Sequence, residues 1–274
     1  MSFLAQMAQG SAERARAARA ARSEADLLAA CAAAPVAPRL RLGDFELIAE
    51  IKRHSPAEGT LGAVTDIAAR AGQYAAAGAA AVSVLTEPAR FGGSLDDLAT
   101  AARALHPAGV PAMRKDFLVD PWQVLEARAA GAGGVLLIVA MLSDAALGEL
   151  LAVARQQELF VLLEAFDEAD LERAANFIVD GAGGVPVLVG VNTRDLRTLA
   201  VDPGRLARLA PRLPPGSPAV AESGLHKATD AAAAAALGYG VALVGTALMR
   251  APDPAALAAA MLAAGRAAIM EETG

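Results

Sequence analysis

Short apolar segments recur along the chain at a steady interval, with segments of helical periodicity between them. Each apolar segment is only a few residues long, and several are uninterrupted in Val, Ile and Leu. That pattern is typical of parallel strands buried on both faces, because half-exposed strands alternate polar and apolar residues. The predicted strands lie at 45–52, 80–86, 112–117, 135–139, 160–165, 186–192, 219–223 and 241–246.

The intervening segments are rich in Ala, Leu, Arg and Glu and predict helices. Five of them, at 66–77, 95–105, 121–130, 144–155 and 167–177, begin at or just after a candidate N-cap residue: Asp66, Ser94, Asp120, Ser143 and Asp167. Eight strands alternating with helices predict an α/β fold of the (β/α)8 type, a TIM barrel. A doubly wound open sheet has the same periodicity and stays an alternative at this point.

The first 44 residues lie outside this repeat and predict one or two added helices. Residues 1–44 are therefore expected to be an N-terminal helical extension, and residues 45–274 a single barrel domain. Acidic residues interrupt the Ala- and Arg-rich start, which favours a surface helix over a transit peptide. The uncharged run at 231–249 is mostly Ala and predicts a buried helix, a turn and a strand, not a membrane span.

Polar residues interrupt the apolar segments mainly at their carboxyl ends. In a barrel these ends meet at one mouth, where barrel enzymes place their chemistry. Glu50 and Lys52 are two residues apart, so both point to the same face of the first strand. A single residue of this kind can simply begin a solvated loop, and an ion pair can be purely structural. The two lysines, three glutamates and one asparagine among these residues nevertheless predict an acid/base site when taken together. The set comprises Glu50, Lys52, Lys115, Glu164, Asn192, Glu222, Ser223 and Thr246.

Lysine is scarce in this chain. Of the 24 basic residues only Lys52, Lys115 and Lys227 are lysines, and the rest are arginines. A lysine can be tuned to give up a proton in a desolvated pocket, whereas arginine stays protonated. The two lysines at strand ends therefore indicate chemistry that arginine cannot perform. Lys227 is expected at the surface or at a helix start.

Glycine follows each of the last two predicted strands, as Gly224 and Gly245, with Ser223 and Thr246 beside them. Backbone N–H groups exposed by such glycines at a helix N-terminus can bind an anion. The loops after strands 7 and 8 of a barrel are a frequent phosphate site. The sequence therefore predicts a phosphorylated ligand.

Composition limits the partners and cofactors. The formal net charge of −6 argues against nucleic acid or an anionic membrane as a partner. Cys31 is the single cysteine, which rules out an internal disulfide and fits the cytoplasm. His54, His106 and His226 lack the spacing of metal ligands, so we expect no metal. The glycine clusters at 131–134 and 181–184 precede strands, whereas a dinucleotide fingerprint follows one.

At this point the motifs resemble those of the indole-3-glycerol-phosphate synthase family of tryptophan biosynthesis. The similarity covers residues 45–250 in order and is specific as an ensemble. The motifs are IAEIKRHSPAEG at 48–59, SVLTE at 83–87, FGGS at 91–94, RKDF at 114–117, LEA at 163–165, VNTRDLRT at 191–198, VAESG at 220–224 and VGTALM at 244–249. The N-terminal extension also resembles that family's extra helix over the barrel mouth.

The resemblance implies a lyase. The family converts 1-(2-carboxyphenylamino)-1-deoxyribulose 5-phosphate to indole-3-glycerol phosphate with loss of CO2 and water. By resemblance, Lys115 is the general acid that activates the ribulose carbonyl. Lys52 would hold the substrate carboxylate and would also be able to act as an acid.

The remaining roles follow from the same resemblance. Glu164 would stabilise positive charge on the intermediate or assist proton transfer, and Glu50 would be the base for dehydration. Asn192, Glu222 and Ser223 would orient hydroxyl groups and the two lysines. The expected phosphate site comprises Ser55, Gly224, Gly245 and Thr246. The expected apolar pocket for the aromatic ring comprises Phe91, Phe117, Leu136 and Leu196. This chemistry needs no redox cofactor and no metal, and we expect a monomer or a weak homo-oligomer.

A few positions depart from the family pattern. Gly133 stands where Asp is frequent, Phe166 where His is common and Thr193 where Asn is frequent, and the stretch 181–186 looks slightly longer than usual. None of these residues is assigned to the chemistry. Three alternatives remain at this stage: a paralogue serving another indole pathway, a barrel isomerase acting on a related ribulose phosphate, and a non-catalytic paralogue that keeps the ligand pocket.

Overall fold

The strands form a closed, parallel, eight-stranded barrel. The computed structural model describes residues 1–55, 59–60, 66–178 and 184–272. Each strand pairs with its neighbours in the sequence, and the last pairs with the first, with Glu46 opposite Val241. This closure confirms the predicted (β/α)8 barrel and excludes the open sheet. The strands are Glu46–Ile51 (β1), Ala81–Leu85 (β2), Ala112–Lys115 (β3), Gly134–Ile138 (β4), Phe160–Ala165 (β5), Val187–Asn192 (β6), Ala219–Glu222 (β7) and Val241–Val244 (β8).

Two helices precede the barrel, and the others follow its strands. The α-helices are Phe3–Ala21 (α1), Glu24–Ala33 (α2), Ile67–Ala76 (α3), Pro88–Phe91 (α4), Leu95–Leu105 (α5), Pro121–Ala129 (α6), Asp144–Gln156 (α7), Glu168–Ala175 (α8), Arg205–Leu209 (α9), Ala228–Ala236 (α10), Thr246–Arg250 (α11) and Pro254–Glu272 (α12). Short 3-10 turns lie at His106–Ala108, Val139–Met141 and Ala210–Arg212. His54–Ser55 pairs with Gly59–Thr60 as a small antiparallel ladder after β1.

The predicted N-cap residues occupy the N-cap positions of their helices. The side chains of Asp66, Ser94, Ser143 and Asp167 each accept a hydrogen bond from a backbone N–H of the first turn. Asp120 forms a capping box with Gln123 at the start of α6. These bonds satisfy donors that would otherwise lack partners, so the capping residues set where the helices begin.

The core has two concentric parts. Residues that point outward from the strands pack against the surrounding helices, as Leu47 and Val84 do. Residues that point inward, such as Ile48, Met113 and Leu162, fill the barrel. Because strand side chains alternate, the polar residues at the ends of the inward-pointing series face into the mouth. No helix in the described part of the chain is long and apolar enough to cross a membrane.

The N-terminal helices pack against the barrel. Leu4 and Met7 of α1 join the cluster that fills the barrel interior. Further along α1, the Arg19 guanidinium lies 5.1 Å from the ring centroid of Trp122, and its Nη2 is 2.6 Å from Oδ1 of Asp120. Cys31 of α2 packs in a buried cluster with Trp122. The extension therefore contacts both the interior residues near the mouth and the outer helix α6.

Candidate functional site

A cavity of about 210 Å³ opens at the carboxyl ends of the strands, which is the mouth of the barrel. Nearly all of the predicted site residues line it. They are Glu50, Lys52, Phe91, Lys115, Phe117, Leu136, Glu164, Asn192, Leu196, Glu222, Ser223, Gly224, Gly245 and Thr246. Ser55 is the exception, because its side chain lies outside the described residues.

Lys115 lies between two carboxylates in this cavity. Its Nζ is 3.0 Å from Oε2 of Glu164 and 3.3 Å from Oε2 of Glu222. Both glutamates are essentially fully buried at the ends of β5 and β7. The backbone of three different strands therefore positions one ammonium group and two carboxyl groups within hydrogen-bonding distance. The two carboxyl groups fix the position of the Lys115 ammonium group, so the direction in which it can donate a proton is also fixed.

Glu50 and Lys52 form the second charged pair of the cavity. Lys52 Nζ is 2.8 Å from Oε1 of Glu50, as their spacing on one face of β1 predicts. Glu50 is buried, while the Lys52 side chain is 15% exposed. A partly exposed ammonium group beside a buried carboxylate can bind an anionic group entering from solvent.

The buried charges change one another's pKa values in different directions. Burial alone would raise the pKa of Glu50, but the ammonium groups of Lys52 and Lys115 outweigh it and lower that pKa below its ordinary value. Burial would lower the pKa of Lys115, but the surrounding glutamates raise it above its ordinary value. Burial and the neighbouring Glu164 raise the pKa of Glu222 well above its ordinary value. The pKa values of the Glu50 and Glu222 carboxyl groups are therefore shifted in opposite directions.

Two glycines make room for these carboxyl groups. A Cβ atom at Gly245 would overlap Oε1 of Glu50, and one at Gly190 would overlap Oε1 of Glu222. The sequence predicted Gly245 as part of a phosphate site. The structure adds a steric reason for glycine at this position, because a side chain there would overlap the Glu50 carboxyl group. Gly190 was not predicted, since a glycine inside an apolar strand shows no sign of what lies against it.

The chain turns sharply after β7 at the expected phosphate site. Ser223 and Gly224 both have positive φ, at 64° and 72°. This region costs a non-glycine residue about 1–2 kcal/mol, and such conformations cluster at functional sites. The Thr193 hydroxyl would lie 3.2 Å from a Cβ on Gly224, so space and backbone both favour glycine there. Thr246 begins α11 instead of ending a strand as predicted, which places it in the first turn of a helix N-terminus.

Aromatic rings form one side of the cavity. The rings of Phe91 and Phe117 have centroids 6.0 Å apart, and Phe3 of α1 meets Phe117 edge-on at the same separation. Leu136 and Leu196 line the same cavity. Phe3 was missed by the sequence reasoning, because nothing local links the first helix to the barrel mouth.

Several other lining residues were also missed. They are Leu85, Asp116, Ile138, Arg194, Leu199, Val201, Leu225, His226, Leu243, Val244 and Ala247, in addition to Phe3. The sequence did offer a signal for Arg194, because it lies only two residues after Asn192, which was predicted at the mouth of the barrel. The backbone N–H of Arg194 donates to Oδ1 of Asn192 at 2.9 Å, and Arg194 bridges to Val201 across the loop.

Among the described residues, no three His, Cys, Asp or Glu side chains converge in a way that would hold a metal ion.

Comparison with known proteins identifies one family. The sequence model of indole-3-glycerol phosphate synthase matches residues 5–261. An indole-3-glycerol phosphate synthase from Nocardioides sp. is 47% identical over 217 residues, covering 79% of this chain and 80% of its own. A protein of the same name from Mycobacteroides abscessus is 41% identical over 247 residues, covering 88% of this chain and 87% of its own.

Solved structures at lower identity share the fold. Thiamine phosphate pyrophosphorylase from Pyrococcus furiosus superposes with a TM-score of 0.56 at 16% identity, covering 84% of this chain and 98% of its own. The 3-hexulose-6-phosphate synthase from Salmonella typhimurium gives a TM-score of 0.58 at 14% identity, covering 83% and 99%. At this identity the likeness concerns the barrel architecture alone.

Proposed function

This chain belongs to the indole-3-glycerol phosphate synthase family, and from that premise we propose how its cavity carries out the reaction. The protein is a lyase of tryptophan biosynthesis. It closes the ring of 1-(2-carboxyphenylamino)-1-deoxyribulose 5-phosphate, with loss of CO2 and water, to give indole-3-glycerol phosphate. The observation that supports the site assignment best is the Lys115 ammonium group between Glu164 and Glu222 in the cavity.

The proposed first step is ring closure. Lys115 donates a proton to the ribulose carbonyl oxygen while the aromatic carbon attacks the carbonyl carbon. A positioned general acid of this kind contributes about 10²–10⁴-fold to the rate. Lys52 binds the substrate carboxylate at its partly exposed ammonium group, and Glu164 stabilises positive charge on the intermediate before CO2 leaves.

The proposed second step is dehydration, in which a proton leaves the intermediate as the hydroxyl group departs as water. Glu50 is the base for this step, because its lowered pKa keeps it ionised and its oxygen lies 2.8 Å from Lys52 Nζ. Lys52 is the matching acid for the departing hydroxyl group. Asn192 and Ser223 orient the substrate hydroxyl groups from the ends of β6 and β7.

Two further sets of residues bind the parts of the substrate that do not react. Gly224, Gly245 and Thr246 bind the phosphate through backbone N–H groups at the helix N-terminus and the turn described above, together with Ser55. The aromatic ring fits the apolar side of the cavity, which comprises Phe91, Phe117, Leu136 and Leu196.

We also propose the setting in which the enzyme works. A single, buried, unpaired cysteine supports a cytoplasmic location. We propose activity as a monomer or a weak homo-oligomer. Residues 1–44 are proposed to be an extension that caps the mouth of the barrel domain, 45–274, because α1 supplies Phe3 to the cavity.

The direct test is turnover by the purified protein. The carboxyphenylamino-deoxyribulose phosphate is supplied, and the indole product is followed by its fluorescence. We expect steady product formation, and none from ribulose phosphates that lack the aromatic amine. No product above background would overturn the proposed function, and isomerisation of a simple ribulose phosphate would favour another barrel enzyme.

A further inference from the structure

The Glu164 and Glu222 carboxyl groups both contact the same cation, the ammonium group of Lys115. Each uses its Oε2 to contact Lys115 Nζ, at 3.0 Å and 3.3 Å, so these two oxygens lie on the same small group. The Oε1 atoms of both residues are buried, and neither has a hydrogen-bond partner among the described residues. Two ionised carboxylates in this position would repel each other and leave two buried oxygens unsatisfied.

Among the described residues, Lys115 is the cation that forms ion pairs with both carboxyl groups. From β1 come Glu50 and Lys52, which already neutralise each other at 2.8 Å. From β3 comes Lys115, and from β6 comes Asn192, whose Oδ1 accepts the Arg194 N–H. Lys115 therefore supplies one positive charge to two carboxyl groups, which a single bound proton would balance.

We propose that Glu164 and Glu222 share one proton in the resting enzyme, and that this proton passes to Lys115 during turnover. A carboxylic acid in the pair can donate to the neighbouring carboxylate, which satisfies an oxygen that otherwise lacks a donor. The raised pKa of Glu222, caused by burial and by Glu164, agrees with this arrangement. Gly190 supports it sterically, because only glycine leaves space for the Glu222 carboxyl group there.

The transfer to Lys115 rests on the proposed function, and its protons balance. Lys115 gives an N–H proton to the ribulose carbonyl oxygen as the ring closes and becomes a neutral amine. The O–H bond of the shared acid then breaks, and its proton forms a new N–H bond on Lys115. Loss of CO2 from a carboxylate substrate consumes one proton overall, so a proton taken up from the buffered solvent reloads the pair before the next turnover.

Infrared spectroscopy of the substrate-free protein tests the shared proton directly. The C=O stretch of a protonated carboxyl group is separate from the carboxylate bands. An ordinary glutamate, with a pKa of about 4.3, is ionised at neutral pH and gives no such band. We expect the wild-type protein to show the acid band at neutral pH. We expect Glu222→Gln and Glu164→Gln each to remove it, because either change leaves one carboxylate alone with Lys115.

Two matched variants control the assignment. Glu50→Gln removes a buried carboxyl group that is ionised, and Glu149→Gln removes an exposed one on α7, so both should keep the acid band. Absence of the band in wild type overturns the proposal. Persistence of the band in either pair variant also overturns it, since the proton would then not be shared. Because no substrate is present, failure of the proposed activity would leave this result unchanged.

Discussion

Arg14, in the middle of the N-terminal helix, donates a hydrogen bond of 2.7 Å to Asp116, the residue after Lys115. Asp116 is buried and also accepts hydrogen bonds from the Thr86 hydroxyl and from the backbone N–H of Phe117. The N-terminal extension is thus joined by one ion pair to the segment that carries the proposed general acid. The other Arg14 Nη lies 3.5 Å from the buried Glu87.

Arg14→Ala is expected to weaken both stability and catalysis. Hydrogen bonds to charged groups contribute about 1.5–3 kcal/mol, and we expect the lower end because Arg114 still contacts Asp116 at 3.2 Å. Urea unfolding and steady-state kinetics measure the two effects. Arg16→Ala, an exposed position on the same helix, is the control and should change stability by less than about 0.5 kcal/mol. Equal unfolding free energies and equal kinetic constants for the two variants would show that the Arg14–Asp116 ion pair contributes to neither stability nor catalysis.

Gly245→Ala is expected to lower the turnover number by at least about tenfold, because its methyl group would displace the Glu50 carboxylate from Lys52. The matched control is Gly72→Ala in α3, where a Cβ meets nothing within 4 Å. That change should stabilise the protein by about 0.5–1 kcal/mol and leave turnover unchanged. Unaltered turnover in Gly245→Ala would contradict the role assigned to Glu50.

Arg197→Ala is expected to raise KM with little change in kcat. Arg197 donates to Asp195 in its own loop and to Asp167 at the start of α8, and its guanidinium lies 5.6 Å from the Phe166 ring centroid. These contacts hold the loop that carries Leu196 to the apolar side of the cavity. Arg212→Ala breaks an exposed ion pair with Glu168 nearby and should leave KM unchanged. A fall in kcat at constant KM would argue for a different role.

Stability should depend on pH through Glu50 in a defined direction. Its pKa is lowered in the folded protein, so its stabilising contribution is present above the unfolded value of about 4.3 and is lost as the pH falls. The difference in unfolding free energy between wild type and Glu50→Gln should therefore shrink on acidification. Glu222→Gln should show the opposite trend, because the raised pKa of Glu222 makes its contribution decline as the pH rises. Urea titrations across a pH series measure both, and parallel trends would contradict the assignment.

The sequence predicted the barrel and most of the cavity because both depend on local, periodic signals. Strand ends carry the polar residues, and the N-cap residues set the helix starts, so Lys115 and Glu164 could be assigned to the mouth before any contact was known. The contacts of the extension could not be predicted in this way. Arg14 and Asp116 are 102 residues apart, and only the closed barrel brings them together.

Steric and conformational details were also beyond the sequence. Gly190 lies in the middle of an apolar strand, and its importance appears only once Glu222 on the next strand lies against it. The residue type of Ser223 gives no indication that its φ is positive. Thr246 extended an apolar run and was predicted in the strand, whereas the chain turns at Gly245 and starts a helix there.

We propose that Lys115, among the three lysines of this chain, is the proton donor for ring closure. The most direct measurement compares the turnover of Lys115→Ala with that of Lys227→Ala by indole fluorescence at saturating substrate. Lys227 is exposed at the start of α10 and lies outside the cavity lining. We predict wild-type turnover for Lys227→Ala and a loss of at least about 10²-fold for Lys115→Ala. Wild-type turnover in a folded Lys115→Ala variant would contradict the account.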